Sequence, residues 1–212
     1  MRVATLIAGS VIALLAVPAH ATTVSVQINA TVEYNQVSFG NFGNVNPGDN
    51  VLVQFNVDSN DFLNSGSFNT RGYVIDQSSF VLVMGSVVSG LQNPFPAGVT
   101  PYFVLRESDP VADGFFLSTG PDLPVPLPLN EPGGLDPFFG LRIEVGYNGS
   151  ELSSLDILDA TGTHDFTNLT SFYTVVADAF AEPIGLIFDS LTISAPVSVE
   201  AGTWGNIKAL YR

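Results

Sequence analysis

The chain is poor in the side chains that most often carry chemistry. It has no cysteine and two histidines, His20 and His164. His20 falls in an N-terminal stretch with the features of a leader, so the body of the protein has His164 alone. Thiol nucleophiles are excluded, and most zinc and copper sites lack their usual ligands. A Ser-His-Asp triad would have to use His164, which follows the turn-like Ala160-Thr161-Gly162-Thr163, and no Gly-x-Ser-x-Gly elbow is present. His164 is therefore expected to be a solvent-exposed turn residue. Twenty acidic residues could supply a carboxylate pair for glycoside hydrolysis, but spacing singles out no pair. Two places offer oxygen ligands on turns, as a hard cation requires: Asp58 with Asp61, and Asp156 with Asp159. These four are candidates for a structural calcium site. Neither cluster has the spacing of an EF-hand or an RTX repeat, and Asp and Asn also favour turns for local hydrogen-bonding reasons. No catalytic residue and no organic cofactor is assigned.

What must position these groups is a β-rich body. Val24-Ser25-Val26-Gln27-Ile28 alternates apolar and polar residues strictly, the period of a half-buried strand. Asn46-Pro47-Gly48-Asp49-Asn50 is a turn, and a second strand follows over 51–57. Residues 58–66 read as a polar, turn-rich connection. The run 80–84 is continuously apolar and suits a strand covered on both faces. Further strands are predicted over 102–106, 115–118, 141–147, 154–158, 172–176 and 184–193. In the third of these, Arg142 and Glu144 share the solvent face. Residues 120–137 hold six prolines, which cannot donate to a ladder, so this is an extended surface loop joining two sheets. No stretch of the body has ten residues of helical periodicity. The expectation is all-β: a single-domain antiparallel β-sandwich of jelly-roll type over 22–195.

Composition bounds the partners. Apolar residues make up 46% of the chain and Phe numbers 16, enough for a packed core without disulfides. Twenty Asp and Glu face six Lys and Arg, for a net charge of −14. Such a surface repels a phosphate backbone, and no basic cluster overrides it, so nucleic acid is excluded as a partner. Anionic lipid is disfavoured for the same reason.

Both ends of the chain look like addresses. Arg2, an apolar run over 3–17, Pro18 and then Ala19-His20-Ala21 form the three-part layout of a secretory signal peptide over 1–21. The apolar run is too short to span a bilayer, and no other segment of the mature chain reads as a transmembrane helix. The segment 196–212 is a linker and short tail. There Trp204 and Tyr211 share a helical face with Ile207, Gly205 follows the Trp, and Lys208 and Arg212 complement the C-terminal dipole. Trp204, Gly205, Lys208, Tyr211 and Arg212 are the candidate sorting or anchoring signal, and export or sorting machinery is the partner they imply.

Between these ends lie three short motifs. Gly48-Asp49-Asn50-Val51-Leu52-Val53-Gln54-Phe55-Asn56-Val57-Asp58-Ser59 resembles the early turn and strand of secreted bacterial proteins of the PEP-CTERM kind. Ser154-Leu155-Asp156-Ile157-Leu158-Asp159-Ala160-Thr161-Gly162-Thr163 resembles their late strand and turn, and Ile187-Phe188-Asp189-Ser190-Leu191-Thr192 their last strand. The Val-Pro-Glu-Pro, spanning helix and basic cluster that end those proteins are missing. The resemblance implies an exported β-sandwich at the outer surface or in the extracellular matrix, and carries over no catalytic residue. The function read from the sequence is thus a secreted, non-enzymatic protein with a structural or adhesive role, whose partners are extracellular polysaccharide or other surface proteins. The alternative is a carbohydrate-binding module, which would need Tyr102, Phe115, Phe116, Phe138 and Phe139 turned outward as a platform where most are expected in the core. A glycoside hydrolase is the third reading.

Overall fold

The computed structural model describes residues 21–109, 112–131, 139–149, 151–178 and 182–196. Of these, 55% lie in strands and 4% in helical turns, which makes the body all-β. The strands are β1 (Thr23–Asn35), β2 (Asn50–Asn64), β3 (Thr70–Ile75), β4 (Val81–Met84), β5 (Val87–Ser89), β6 (Tyr102–Arg106), β7 (Ala112–Ser118), β8 (Leu127–Pro128), β9 (Gly140–Asn148), β10 (Gly162–His164), β11 (Leu169–Ala177) and β12 (Pro183–Ser194). Every pairing between them is antiparallel.

Eight strands close on themselves. In the order β1-β2-β3-β6-β7-β9-β11-β12, each pairs with the next, and β12 returns to pair with β1. Neighbours in the ring are neighbours in sequence, so the path is a meander, and the other strands are excursions from it. β4 and β5 extend the free edge of β2, β8 pairs with β9, and β10 with β12. An eight-stranded barrel thus replaces the expected two-layer jelly-roll sandwich. Alternation along a strand reports which face is buried and is silent on whether the two ends of a sheet meet.

The inward faces follow from the residue pattern. Val24, Val26, Ile28, Ala30 and Val32 of β1 and Val51, Val53, Phe55 and Val57 of β2 all point inward and are buried. Aromatic rings then fill the interior in sequence. Phe80 stacks on Phe55 at 5.9 Å, Phe55 meets Phe103 at 5.6 Å, and Phe103 stacks on Phe115 at 5.8 Å. In β12 the buried set runs Ile184, Leu186 and Phe188 and then shifts parity to Leu191 and Ile193. A bulge explains the shift: Asn29 faces Ser190 and Ala30 faces Phe188, so Asp189 has no partner across the ladder.

Several expectations need correcting. The predicted strand over 154–158 is a run of bends and turns, because its polar side chains bond their own backbone. β2 does not stop before Asp58 but continues to Asn64 through an irregularity between Val57 and Phe62. β4 is covered on one face only, with Leu82 and Met84 buried and Val81 exposed. Strands β3, β5, β8 and β10 were not read from the sequence. The proline-rich stretch contributes β8 to the edge of β9 and buries Leu127 and Leu129, since proline is tolerated where no ladder donor is needed. Arg142 and Glu144 do share the outer face, paired at 3.1 Å, with Arg106 joining Glu144 at 3.4 Å.

The aromatic sequence through the barrel centre generates a direct test. Phe103→Ala removes a fully buried ring that touches two others, and should lower unfolding free energy by about 3–5 kcal/mol. Urea titration would show this as a lower midpoint with an unchanged slope.

Candidate functional site

The sharpest polar chemistry lies at one end of the barrel, where the segment 151–160 crosses the opening. Leu152, Ile157 and Ala160 pack inward from it and are buried. Three groups from three strands hold it there. Asp113 of β7, wholly buried, accepts the N–H of Leu152 at 2.7 Å and of Ser108 at 2.8 Å. Tyr73 of β3 accepts the N–H of Ile157 at 3.0 Å and donates its hydroxyl to the carbonyl of Leu155 at 2.7 Å. His164 of β10 sets Nδ1 2.5 Å from Glu151 Oε1 and Nε2 3.0 Å from the Ala160 carbonyl. Its ring lies 4.6 Å from that of Phe115.

This placement corrects the expectation for His164, which is 7% exposed and sits in the barrel end. Pairing of Gly162–His164 with Ile193, Thr192 and Leu191 of β12 turns the ring inward. Both ring nitrogens face oxygen atoms of the protein, one a carboxylate and one a backbone carbonyl. The surrounding electrostatics favour neutral phenols. Burial pushes the Tyr73 hydroxyl above its ordinary value. Burial, and then the negative charges of Glu151 and Asp165, push Tyr147 well above it. The Tyr147 hydroxyl is buried with no hydrogen-bond partner among the described residues. Beside it, the Thr167 N–H bonded to Asp165 at 2.7 Å holds that carboxyl below its ordinary value.

The opposite end is closed by the same means. A 3-10 turn at Phe42–Asn44 buries Phe42, whose ring meets Phe139 edge-on at 5.0 Å. Asn35 Nδ2 donates to the carbonyls of Phe42 and Val45, both at 2.8 Å. Glu131 accepts the Asn41 N–H at 2.9 Å and its Nδ2 at 3.0 Å.

A further set of polar groups lies on the outer face of β1, β2, β4 and β12, around a cleft of about 540 Å³. Asn29, Leu52 and Val83 form one row across three strands. Gln27 stands beside Asn29, the turn residues Asp49 and Asn50 close one side, and Asp189 closes the other. These side chains are pre-bonded. Gln27 Nε2 donates to Asn29 Oδ1 at 3.1 Å, Asn29 Nδ2 to Ser190 Oγ at 3.2 Å, and Thr31 Oγ1 to Asp189 Oδ2 at 3.0 Å.

No protein family profile, curated protein or solved structure matches the chain. Its chemistry is read from its own residues.

The residues singled out in the sequence are not gathered in the cleft. Asp58 lies on β2 and accepts the Asn60 N–H at 2.8 Å, with the exposed Asp61 further along the strand. Asp156 and Asp159 are in the segment across the barrel end, where Asp156 accepts the Leu158 N–H at 2.9 Å and Asp159 the Ser154 hydroxyl at 2.7 Å. Among the described residues no group of three or more His, Asp or Glu side chains is placed to hold a metal ion. Phe115 and Phe139 point into the core, Phe116 is buried with Arg106 stacked on it at 4.9 Å, and Tyr102 is half-buried over Gly72. The outward aromatic platform is therefore not assembled from these four, and Phe138 lies outside the described residues. Residues 1–20 of the leader and Trp204, Gly205, Lys208, Tyr211 and Arg212 of the tail also lie outside them. The sequence reading missed Asn29, Asp49 and Asp189. The one signal present was the parity break in Phe188-Asp189-Ser190-Leu191, which puts two successive polar side chains on one face.

Two measurements test the barrel end. Tyr73→Phe leaves the Ile157 N–H and the Leu155 carbonyl without a partner and should cost about 1–3 kcal/mol. Amide exchange at Ile157 should quicken while β1 amides stay protected. The raised phenols set a pH window: their stabilising contribution is complete below the ordinary tyrosine value near 10 and is lost as pH rises through the folded values. Tyr147→Phe, which removes an unpartnered hydroxyl, should leave the melting temperature at pH 7 unchanged or higher. It should also flatten the decline above pH 10.

Proposed function

We propose that the protein is exported and acts without catalysis, as a structural or adhesive component at the cell surface or in the extracellular matrix. The observation that carries this reading is where the titratable groups are used. Among the described residues, the buried carboxylates Asp113, Glu131 and Asp178 and the buried imidazole His164 all bond to backbone. Asp113, Glu131 and His164 hold the segments that close the barrel ends, while the amides and carboxylates of the cleft face outward. A body of this kind offers a surface, not a reaction chamber.

The excess of acidic residues keeps an apolar-rich chain apart from its own copies and from anionic lipid. Absence of cysteine leaves the fold indifferent to redox conditions outside the cell. Among the described residues no helix is long and apolar enough to cross a membrane. Retention at the surface would fall to the C-terminal tail or to a ligand of the outer face. The resemblance of three motifs to secreted proteins of the PEP-CTERM kind agrees with this reading.

The leader and the tail are separately testable. Intact-mass analysis of the protein recovered outside the cytosol should give a product beginning at Thr22, and accumulation of the uncut chain in the cytosol would refute export. Deleting residues 203–212 should leave the thermal midpoint intact and change where the protein accumulates. Collapse of folding on that deletion would make the tail part of the body.

A further inference from the structure

We propose that the cleft between β1, β2, β4 and β12 binds a neutral polysaccharide segment. This deepens the surface reading above by naming the class of ligand and the residues that would hold it. Its size lies within the range of sites that enclose a small ligand, roughly 300–1,000 Å³.

The lining matches the chemistry of a sugar. Vicinal hydroxyls each present a donor and acceptors, and are best met by amides and carboxylates already fixed in orientation. Asn29 spends one amide hydrogen on Ser190 and receives one from Gln27, which leaves it a second N–H and Gln27 its carbonyl. Asp189 is oriented by Thr31 through one oxygen and keeps the other. Asp49 is oriented by the Asn46 N–H at 2.8 Å. Between these polar groups, Leu52 and Val83 give an aliphatic floor for the C–H face of a ring.

Two features of the backbone are shaped to this arrangement. The bulge in β12 places Asp189 and Ser190 together on the outer face, where a regular strand would bury one of them. Gly85 has φ +56°, and a Cβ there would meet Asp49 Oδ2 at 2.5 Å. Only glycine lets that carboxylate lie where it does. The lining includes Asp49 and Asp189 and no Lys or Arg. Uronates, sulfated glycans and phosphate-bearing polymers would be repelled by these carboxylates, and the amide and hydroxyl contacts suit an uncharged glycan.

Native electrophoresis of the full-length protein through gels holding dextran, galactomannan or amylose, against gels holding polygalacturonate or alginate, tests the assignment. At least one neutral polymer should slow migration, neither acidic one should, and a chelator should change nothing. The double variant Asn29→Ala/Asp189→Ala should weaken retardation about tenfold or more with an unchanged melting temperature. Gln27→Ala, at an exposed position, should weaken it in part. Tyr173→Ala, an exposed aromatic outside the cleft, should behave as the parent. The proposal is overturned if no neutral polymer slows the protein, if the double variant is slowed as much as the parent, if Tyr173→Ala abolishes the effect, or if the effect needs a metal. Each of these leaves the exported, structural reading standing, because that reading is judged by where the mature chain is found.

Discussion

Closure of the barrel depends on β1 having no free edge. One side of it pairs with β2 from Thr23–Asp58 to Thr31–Asn50, and the other with β12 from Ser25–Ser194 to Asn35–Ile184. The first long strand of the body thereby joins the last to the second. β9 and β11 also pair at length, from Leu169–Tyr147 to Ala177–Gly140, but two joints of the ring are much shorter. β11 meets β12 only over 175–177, and β2 meets β3 at Val57 and over 62–64. A closed ring leaves none of its eight strands with one side wholly unpaired, which matters for a chain rich in apolar β-formers. Because the β1–β12 pairing spans most of the sequence, it must form against a large loop entropy. The aromatic sequence through the interior supplies the non-local contacts that offset it.

Barrels have two open ends, and here both are closed by buried polar groups whose partners are backbone atoms. Asp113, Tyr73 and His164 hold 151–160 at one end, while Asn35 and Glu131 hold the 3-10 turn at the other. A buried carboxylate is tolerable only when its lone pairs are met, and Asp113 and Glu131 each accept two N–H donors. The same bonding ties these side chains to the segments that cross the ends. Inside, the protein is built to stay shut; the outer face of β1, β2, β4 and β12 is where its polar groups remain available.

Much of this was legible beforehand. Alternation over 24–28 and 141–145 was visible in the residues and located β1 and β9, because a half-buried strand must alternate, while β1 and β2 each run seven residues beyond the expected end. β3 escaped notice because Gly72 interrupts its pattern, and β10 because three residues carry no period. The segment 154–158 misled for the opposite reason, with apolar Leu155, Ile157 and Leu158 at strand-like spacing on what is a set of turns bonded by Ser154, Asp156 and Asp159. His164 was misplaced because its neighbours are turn residues, and only the pairing with β12 turns its ring inward.

By itself, the sequence determined the class of fold, the antiparallel habit, the packed core without disulfides and the exclusion of thiol chemistry, since each follows from residue type and local period. Tertiary structure alone decided that the sheet closes, that its ends are closed by buried carboxylates, and that Gln27, Asn29, Asp49 and Asp189 share one cleft. Those outcomes turn on which strands meet at what register, and residues some 160 positions apart, such as Asn29 and Ser190, carry no local mark of the bond they will make.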